Sequence, residues 1–393
     1  MRIGLDLFRR RRRRAGRAGP IHAVFLGADP QDWLSLHTVY EASRADPAFR
    51  VTVVSVSWRG WLTFSTNCEA LFAELGVPYV DGMAPGFSLA ELRPDVIFTS
   101  TPYDEFQLEQ FRSSSICRLA KVVYISYGVD FADKAESAFD RMIFGGPVHR
   151  GAWRIFTRST DNIPRYSRYG VAASRVVAAG LPIIDRYYQD DDVSYAPAPF
   201  REHNEERFKI LYCPHHSIGL WSTFDRNSEV IRDFVARDDG ACLVFRPHPG
   251  LPIKLETDGI IGQDDLRHRF TSSRMIYNDS VPYYGIFHWS NILITDASSF
   301  LIQYAPTKKP IIFLDNSRNG RGIDETIRPE IMKSYYVARD ADELVETLSV
   351  LRSGVDPMRR KRLASQERLC YRVFEPGAGR RIADYVRDNF SAS

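Results

Sequence analysis

Apolar and polar positions divide the chain into short buried runs separated by helical patterns. Ile21 to Gly27 (IHAVFLG) predicts a strand. The stretch DPQDWLSLHTVYEASRAD then predicts a helix capped by Asp29, with Pro30 at its first position. FRVTVVSVSW predicts a β-branched strand, NCEALFAELGV a short helix stopped by Gly76, and PDVIFTSTP and KVVYISYGVD two more buried strands. RIFTRSTD and SRVVAAGLPIID continue the alternation. A second series runs RFKILYCP (strand), RNSEVIRDFVARD (helix), CLVFRPHP (strand) and SVPYYGIFHWS (helical or irregular). NILITD and PIIFLD are strands with SSFLIQYA as a helix between them, and DADELVETLSVLRSG and GRRIADYVRDNF close the chain as helices. Strands alternating with helices predict parallel βαβ units.

The two series are separated by the polar, proline-marked stretch Tyr187 to Glu206. At 393 residues the chain exceeds what one core usually serves. The expected divisions are a basic arm at 1–19, an N-terminal domain at 20–190, a linker at 191–206, a C-terminal domain at 207–370 and a closing helix within 371–393. Two doubly wound α/β domains facing across a cleft would hold ligands at the carboxyl ends of their strands.

Composition changes this picture little; charge changes it more. Hydrophobic residues at 44% and charged residues at 26% are an ordinary globular balance. The net charge is +3, but residues 1–17 carry eight arginines against Asp6, a local +7, so the rest of the chain is −4. Such a run repels itself and is expected to be disordered; it is either a solvated tail without a partner or a site for anionic lipid or nucleic acid. The opening MRIGLDLF is too short and polar for a signal peptide, and no segment approaches the roughly 20 apolar residues that span a bilayer. A cytoplasmic protein, peripheral at most to the inner face of the cell membrane, is expected. The five cysteines (Cys68, Cys117, Cys213, Cys242, Cys370) form no CxxC pair, so neither a zinc site nor a disulfide framework is indicated and they are expected as buried thiols.

Candidate chemistry lies at four strand ends. In NILITDASSF, Asp296, Ser298 and Ser299 stand between an apolar strand and a helix start. They are either plain N-capping or a phosphate site of amides and hydroxyls. In LVFRPHPGL, Pro247 and Pro249 restrict the backbone around Arg246 and His248; arginine can grip phosphate oxygens and histidine can donate or relay a proton. In LYCPHHSIG, His215 and His216 line the cleft or a surface loop; no third histidine or acid lies at ligand spacing in the sequence, so no metal is expected. In VVYISYGVD, Gly128 permits close approach of a ligand, and Tyr127 either reaches into the cleft or is a buried tyrosine at a tight turn. Lys308 and Lys309 are expected in a turn, facing solvent. The chain has no G-x-S-x-G, no G-x-x-x-x-G-K-[ST], no HExxH, and no G-x-G-x-x-G after the first strand.

With GLPIID (Gly180 to Asp185), LYCPHHS, RPHP, ILITDASSFLIQYAPTKKPIIF and EPGAGRRIADYV in this order, the chain resembles the CDP-glycerol glycerophosphotransferase family, the teichoic-acid polymerases and primases. The resemblance implies a GT-B-like fold of two Rossmann-like domains, the N-terminal one on the acceptor side. It implies a nucleotide held by the second domain, with its diphosphate at Ser298 and Ser299 and with Arg246 and His248 beside it, His248 neutralising the leaving phosphate or delivering a proton. Asp296, His216 and Gly128 complete the expected nucleotide site. The implied reaction moves glycerol phosphate from CDP-glycerol to a polymer or lipid-linked glycan, without cofactor or metal. Nucleic acid is not an implied partner. The family places a histidine in a Trp-His-Gly-Thr segment where this chain has Ser126-Tyr127-Gly128, and Thr-Trp-Arg where it has His215-His216-Ser217. A neutral tyrosine is a poor base, so the base role passes to His215 or His216, the acceptor differs, or the reaction is lost. Two other readings compete: a GT-B glycosyltransferase using a nucleotide sugar, and a non-catalytic nucleotide-binding member of a glycan-assembly complex.

Overall fold

The structure is a computed structural model that describes residues 19–59, 65–126, 128, 137–189, 197, 200, 207–281, 283–316, 328–365 and 376–392. The arginine run, Tyr127, Cys370 and all but Pro197 and Phe200 of the expected linker lie outside these residues.

Fifteen strands are present among the described residues. The first nine are β1 (Ile21–Gly27), β2 (Phe49–Ser55), β3 (Trp58–Arg59), β4 (Ser65–Thr66), β5 (Val80–Asp81), β6 (Val96–Thr99), β7 (Lys121–Ile125), β8 (Arg154–Thr157) and β9 (Val176–Ala178). The last six are β10 (Phe208–Cys213), β11 (Ala241–Phe245), β12 (Met275–Tyr277), β13 (Ile292–Thr295), β14 (Ile311–Leu314) and β15 (Tyr336–Ala338). They build a seven-stranded sheet, β5-β2-β1-β6-β7-β8-β9, and a six-stranded sheet, β12-β11-β10-β13-β14-β15, with β3 and β4 a separate antiparallel hairpin. Every pairing in the two large sheets is parallel.

Sheets of this kind are covered on both faces, which is why their strands read as unbroken apolar runs. Alternation sorts the side chains between the faces. Ile210, Tyr212, Leu243, Phe245, Ile292 and Ile294 join one core layer; Leu211, Cys213, Cys242, Val244 and Leu293 join the opposite one. The winding fixes the useful point. From β10 the chain moves outward to β11 and β12, then returns to place β13 on the other side of β10. Strand order reverses between β10 and β13, and the crevice outside a reversal is where doubly wound sheets bind ligands.

The closing helix Ala378–Asn389 does not stay with the second sheet. Ile382 and Val386 pack among Ile21, Phe25 and Phe98 of the first. Lys121 Nζ donates to the Phe390 carbonyl at 2.6 Å and Arg154 Nε to the Tyr385 hydroxyl at 3.0 Å. Asp185 secures the entry: its carboxylate accepts the amides of Gly377 (2.7 Å), Ala378 (3.0 Å) and Gly379 (2.8 Å) and the Thr38 hydroxyl (3.1 Å). A carboxylate at a helix start satisfies amides that would otherwise lack partners. Gly379 sits so close to Thr38 that a Cβ would lie 2.6 Å from that residue's backbone carbon. The GLPIID and EPGAG segments are thus two halves of one structural joint.

Asp29 caps the helix Pro30–Arg44 as expected, accepting the Gln31 amide at 2.8 Å. Other expectations shift. FRVTVVSVSW ends as a strand at Ser55, and SSFLIQYA forms only the turn Phe300–Gln303 followed by a 3-10 turn at Ala305–Thr307, where Pro306 intervenes. Lys308 is exposed, but Lys309 is not solvent-facing. Its ammonium donates to the carbonyls of Phe287 (3.1 Å), His288 (2.5 Å) and Ser290 (2.6 Å), closing the C-terminal end of helix Tyr284–Trp289. The four described cysteines are free; Cys68, Cys213 and Cys242 are buried as expected, and Cys117 is only half-buried. No helix among the described residues is long and apolar enough to cross a membrane.

Candidate active site

Three adjacent strands deliver the candidate residues. β11 runs into Arg246-Pro-His-Pro, β10 into Pro214-His-His, and β13 into Asp296 and the serines. The loops are tied to one another. The His248 amide donates to the Pro214 carbonyl at 3.0 Å, and Thr295 Oγ1 donates to the Cys213 carbonyl at 2.7 Å. Asp296 Oδ1 accepts the His215 amide at 2.8 Å and Oδ2 the Thr223 amide at 3.3 Å. One buried carboxylate therefore holds both ends of the loop 215–223. Burial nevertheless dominates its titration and pushes its pKa up to about 7, against the hydrogen bonds from Ser222, His215 and Thr223.

The loops bring three imidazoles together. Ring centroids are 4.2 Å apart for His215 and His216, 4.3 Å for His216 and His248, and 5.2 Å for His215 and His248. One ring nitrogen from each lies within 4.8 Å of the others. The third partner that sequence spacing failed to supply for a metal is His248, delivered from the neighbouring strand. His216 is buried and His215 half-buried, while His248 keeps exposed surface although its ring packs against the other two. All three pKa values are lowered. Burial is the main cause, joined by His248 and His216 for His215, by His216 for His248, and by Lys254 for His216, which falls to about 4. At neutral pH the cluster is three uncharged rings. Trp221 packs on His215 at 5.0 Å and meets Phe139 from the first domain at 5.9 Å, so the cluster lies beside the contact between the two sheets' domains.

Arg246 is placed differently from the histidines. It is buried, and Nη1 donates to Asn278 Oδ1 at 2.7 Å and the Ser280 carbonyl at 2.6 Å. The guanidinium lies 4.9 Å from the Tyr283 ring centre, and the Tyr283 hydroxyl donates to Gln303 at 2.5 Å. Arg246 thus braces the 278–283 segment and, through Tyr283, the helix that the serines open. Ser298 Oγ lies 3.0 Å from Thr295 Oγ1 and accepts the Phe300 amide at 3.3 Å; Ser299 is half-exposed at the N-cap without a side-chain capping bond. Gly128 is half-buried with open space where a Cβ would be, and Tyr127 beside it is outside the described residues. Sequence reasoning missed Trp221, Asn278 and Tyr283. None has a motif; each matters only through contacts that the sheet order creates.

The chain belongs to the CDP-glycerol:poly(glycerophosphate) glycerophosphotransferase family, whose pattern matches residues 155–387. It is a transferase of that family, and the match takes in every loop of the histidine cluster. No curated protein matches by sequence. Solved structures share the fold. A variant of the wall teichoic acid polymerase TagF soaked with CDPG is 14% identical (TM-score 0.60, covering 95% of this chain and 88% of that one). The UDP co-structure of MnaA from S. aureus is 12% identical (0.64, 96% and 98%). A UDP-N-acetylglucosamine 2-epimerase from Listeria monocytogenes is 14% identical (0.62, 95% and 98%). At such identities the likeness establishes the GT-B-like fold.

Proposed function

We propose that the protein transfers glycerol phosphate, or a related polyol phosphate, from a CDP-activated donor to a hydroxyl of a cell-surface polymer or lipid-linked glycan, releasing CMP. The observation that carries this reading is the cluster of His215, His216 and His248 beside the Ser298–Ser299 turn, at the reversal between β10 and β13.

In this reading the diphosphate rests on Ser299, Ser298 and the imidazoles. Arg246 and Asp296 act from behind, one through positive potential and the bracing of 278–283, the other by holding the loop 215–223. Gly128, with open space where a Cβ would be, allows close approach of the donor. An acceptor oxygen attacks the phosphorus that carries the glycerol. The bond from that phosphorus to the bridging oxygen breaks, its electron pair stays on CMP, and the hydroxyl proton is released to solvent. Phosphoryl transfer of this kind depends mainly on positioning and on stabilising charge at the leaving group, so a tyrosine at 127 need not abolish it. The arginine-rich arm adds electrostatic attraction to an anionic membrane surface, expected to be weak and salt-sensitive.

The test is nucleotide release. With CDP-glycerol and a glycerol-phosphate primer, one CMP is expected per unit transferred. Release of a nucleoside diphosphate from a sugar donor would replace this reading with a glycosyltransferase, and binding without turnover would replace it with a nucleotide-binding partner.

A further inference from the structure

Three clustered imidazoles are compatible with a transition-metal site, a general base or a set of hydrogen-bond donors, and the backbone chooses among these. His215 Nδ1 accepts the Ser217 amide at 3.1 Å, and His248 Nδ1 accepts the Gly250 amide at 3.0 Å. A backbone amide only donates. Each Nδ1 is therefore the unprotonated nitrogen of its ring, and in a neutral imidazole the proton is then on Nε2. Two histidines from neighbouring strands are held in the same tautomer by the same device, an amide two residues further on.

The consequence is chemical. A ring in this state has no lone pair to spare: Nδ1 is engaged and Nε2 carries hydrogen. Binding a metal through Nε2, or taking a proton there, puts hydrogen on Nδ1 unless the ring becomes an anion. That sets donor against donor at the Ser217 or Gly250 amide and leaves a polar group of the site unsatisfied. Presenting Nε2–H to an acceptor disturbs nothing. For His248 the engaged amide opens the helix Gly250–Thr257, whose positive end favours the neutral, donating ring. The rings are 5.2 Å apart, so donors reaching about 2.9 Å to their acceptors can serve oxygens of the same diphosphate.

We propose that His215 and His248 are a matched pair of tautomer-locked, neutral Nε2–H donors for phosphate oxygens, and that neither is the general base or a metal ligand. The ligand class rests on the function proposed above; the tautomer does not. Uncharged donors also avoid setting two cations side by side.

The test has two arms. In the first, ¹⁵N-histidine spectra of the ligand-free protein at pH 7 are assigned with His215→Gln and His248→Gln. Both residues are expected as Nε2–H tautomers, unmoved by Zn²⁺. An Nδ1–H tautomer at either position, or one-to-one Zn²⁺ binding lost in these variants, would overturn the proposal. In the second, inorganic pyrophosphate and CDP-glycerol are titrated into Gln, Asn and Ala variants at each position. Glutamine places an N–H near the position of Nε2; asparagine places it near Nδ1. Glutamine is expected to bind about tenfold more tightly than asparagine or alanine, one charge-assisted hydrogen bond. Equal affinities for all three would overturn the pair. If pyrophosphate shows the glutamine advantage while CDP-glycerol does not bind, the pair stands and the CDP-donor reading falls.

Discussion

The two sheets are wound on the same plan, yet the polar groups beyond their strand ends are used in opposite ways. Past β7 and β8, Asp140 is fully buried, pairs with Arg165 at 3.0 Å and accepts the Tyr169 hydroxyl. Arg158 donates to Asn162 at 3.1 Å, and Asn162 to Thr157 at 3.0 Å. There charge meets charge and the region closes on itself. Past β10 and β11, the charged groups Asp296 and Arg246 are set back to hold loops, and neutral imidazoles are left in front. A region that satisfies its own charges is packing. A region that spends its charges on holding uncharged donors in place is a site.

Perturbing the two regions should separate stability from binding. The largest effect is expected from Asp140→Ala, which leaves the Arg165 guanidinium buried without its carboxylate: a loss of about 3–5 kcal/mol by urea unfolding. CDP-glycerol affinity should be unchanged below the melting point. Weakened affinity in the folded variant would mean the first region also contributes to the site. Arg246→Ala should mix the two outcomes. It removes donors from Asn278 and Ser280, costing about 2 kcal/mol, and weakens CDP-glycerol binding through the displaced 278–283 segment. Affinity equal to wild type would confine Arg246 to packing. Lys309→Met should cost about 1–2 kcal/mol by exposing three carbonyls to an apolar neighbour, with binding intact.

The smallest expected effect is on pH dependence, and it has opposite signs within one site. The pKa of Asp296 is raised to about 7, so its contribution is full below the unfolded value near 4 and is lost as pH rises through 7. The pKa of His216 is lowered to about 4, so its contribution is full above 6.5 and is lost as pH falls through 4. Melting curves of Asp296→Asn should therefore gain on wild type between pH 5 and 8. Curves of His216→Gln should gain on wild type between pH 6.5 and 4. Parallel curves across both windows would remove titration from the account.

What was legible in the sequence follows from range. β1, β10 and β13 are apolar runs read directly, and Asp29 is a cap because its partner is two residues away. β12 and β15 have three residues each, too short for periodicity, and appear only because a longer neighbour pairs with them. The histidines could be named as strand-end residues, but their meeting depends on β10 and β11 being neighbours. The reach of Lys309 depends on a helix end about 20 positions earlier, so the sequence suggested solvent and the structure shows three carbonyls. Asp185 was quoted inside a motif, yet its partners at 377–379 lie in another part of the chain.

Amide hydrogen exchange with and without saturating CDP-glycerol tests the central contrast most directly. Slowed exchange in 215–223, 246–250 and 296–300, with 158–169 unaffected, is the predicted result. Protection confined to 158–169, with the three histidine and serine loops unchanged, would contradict it.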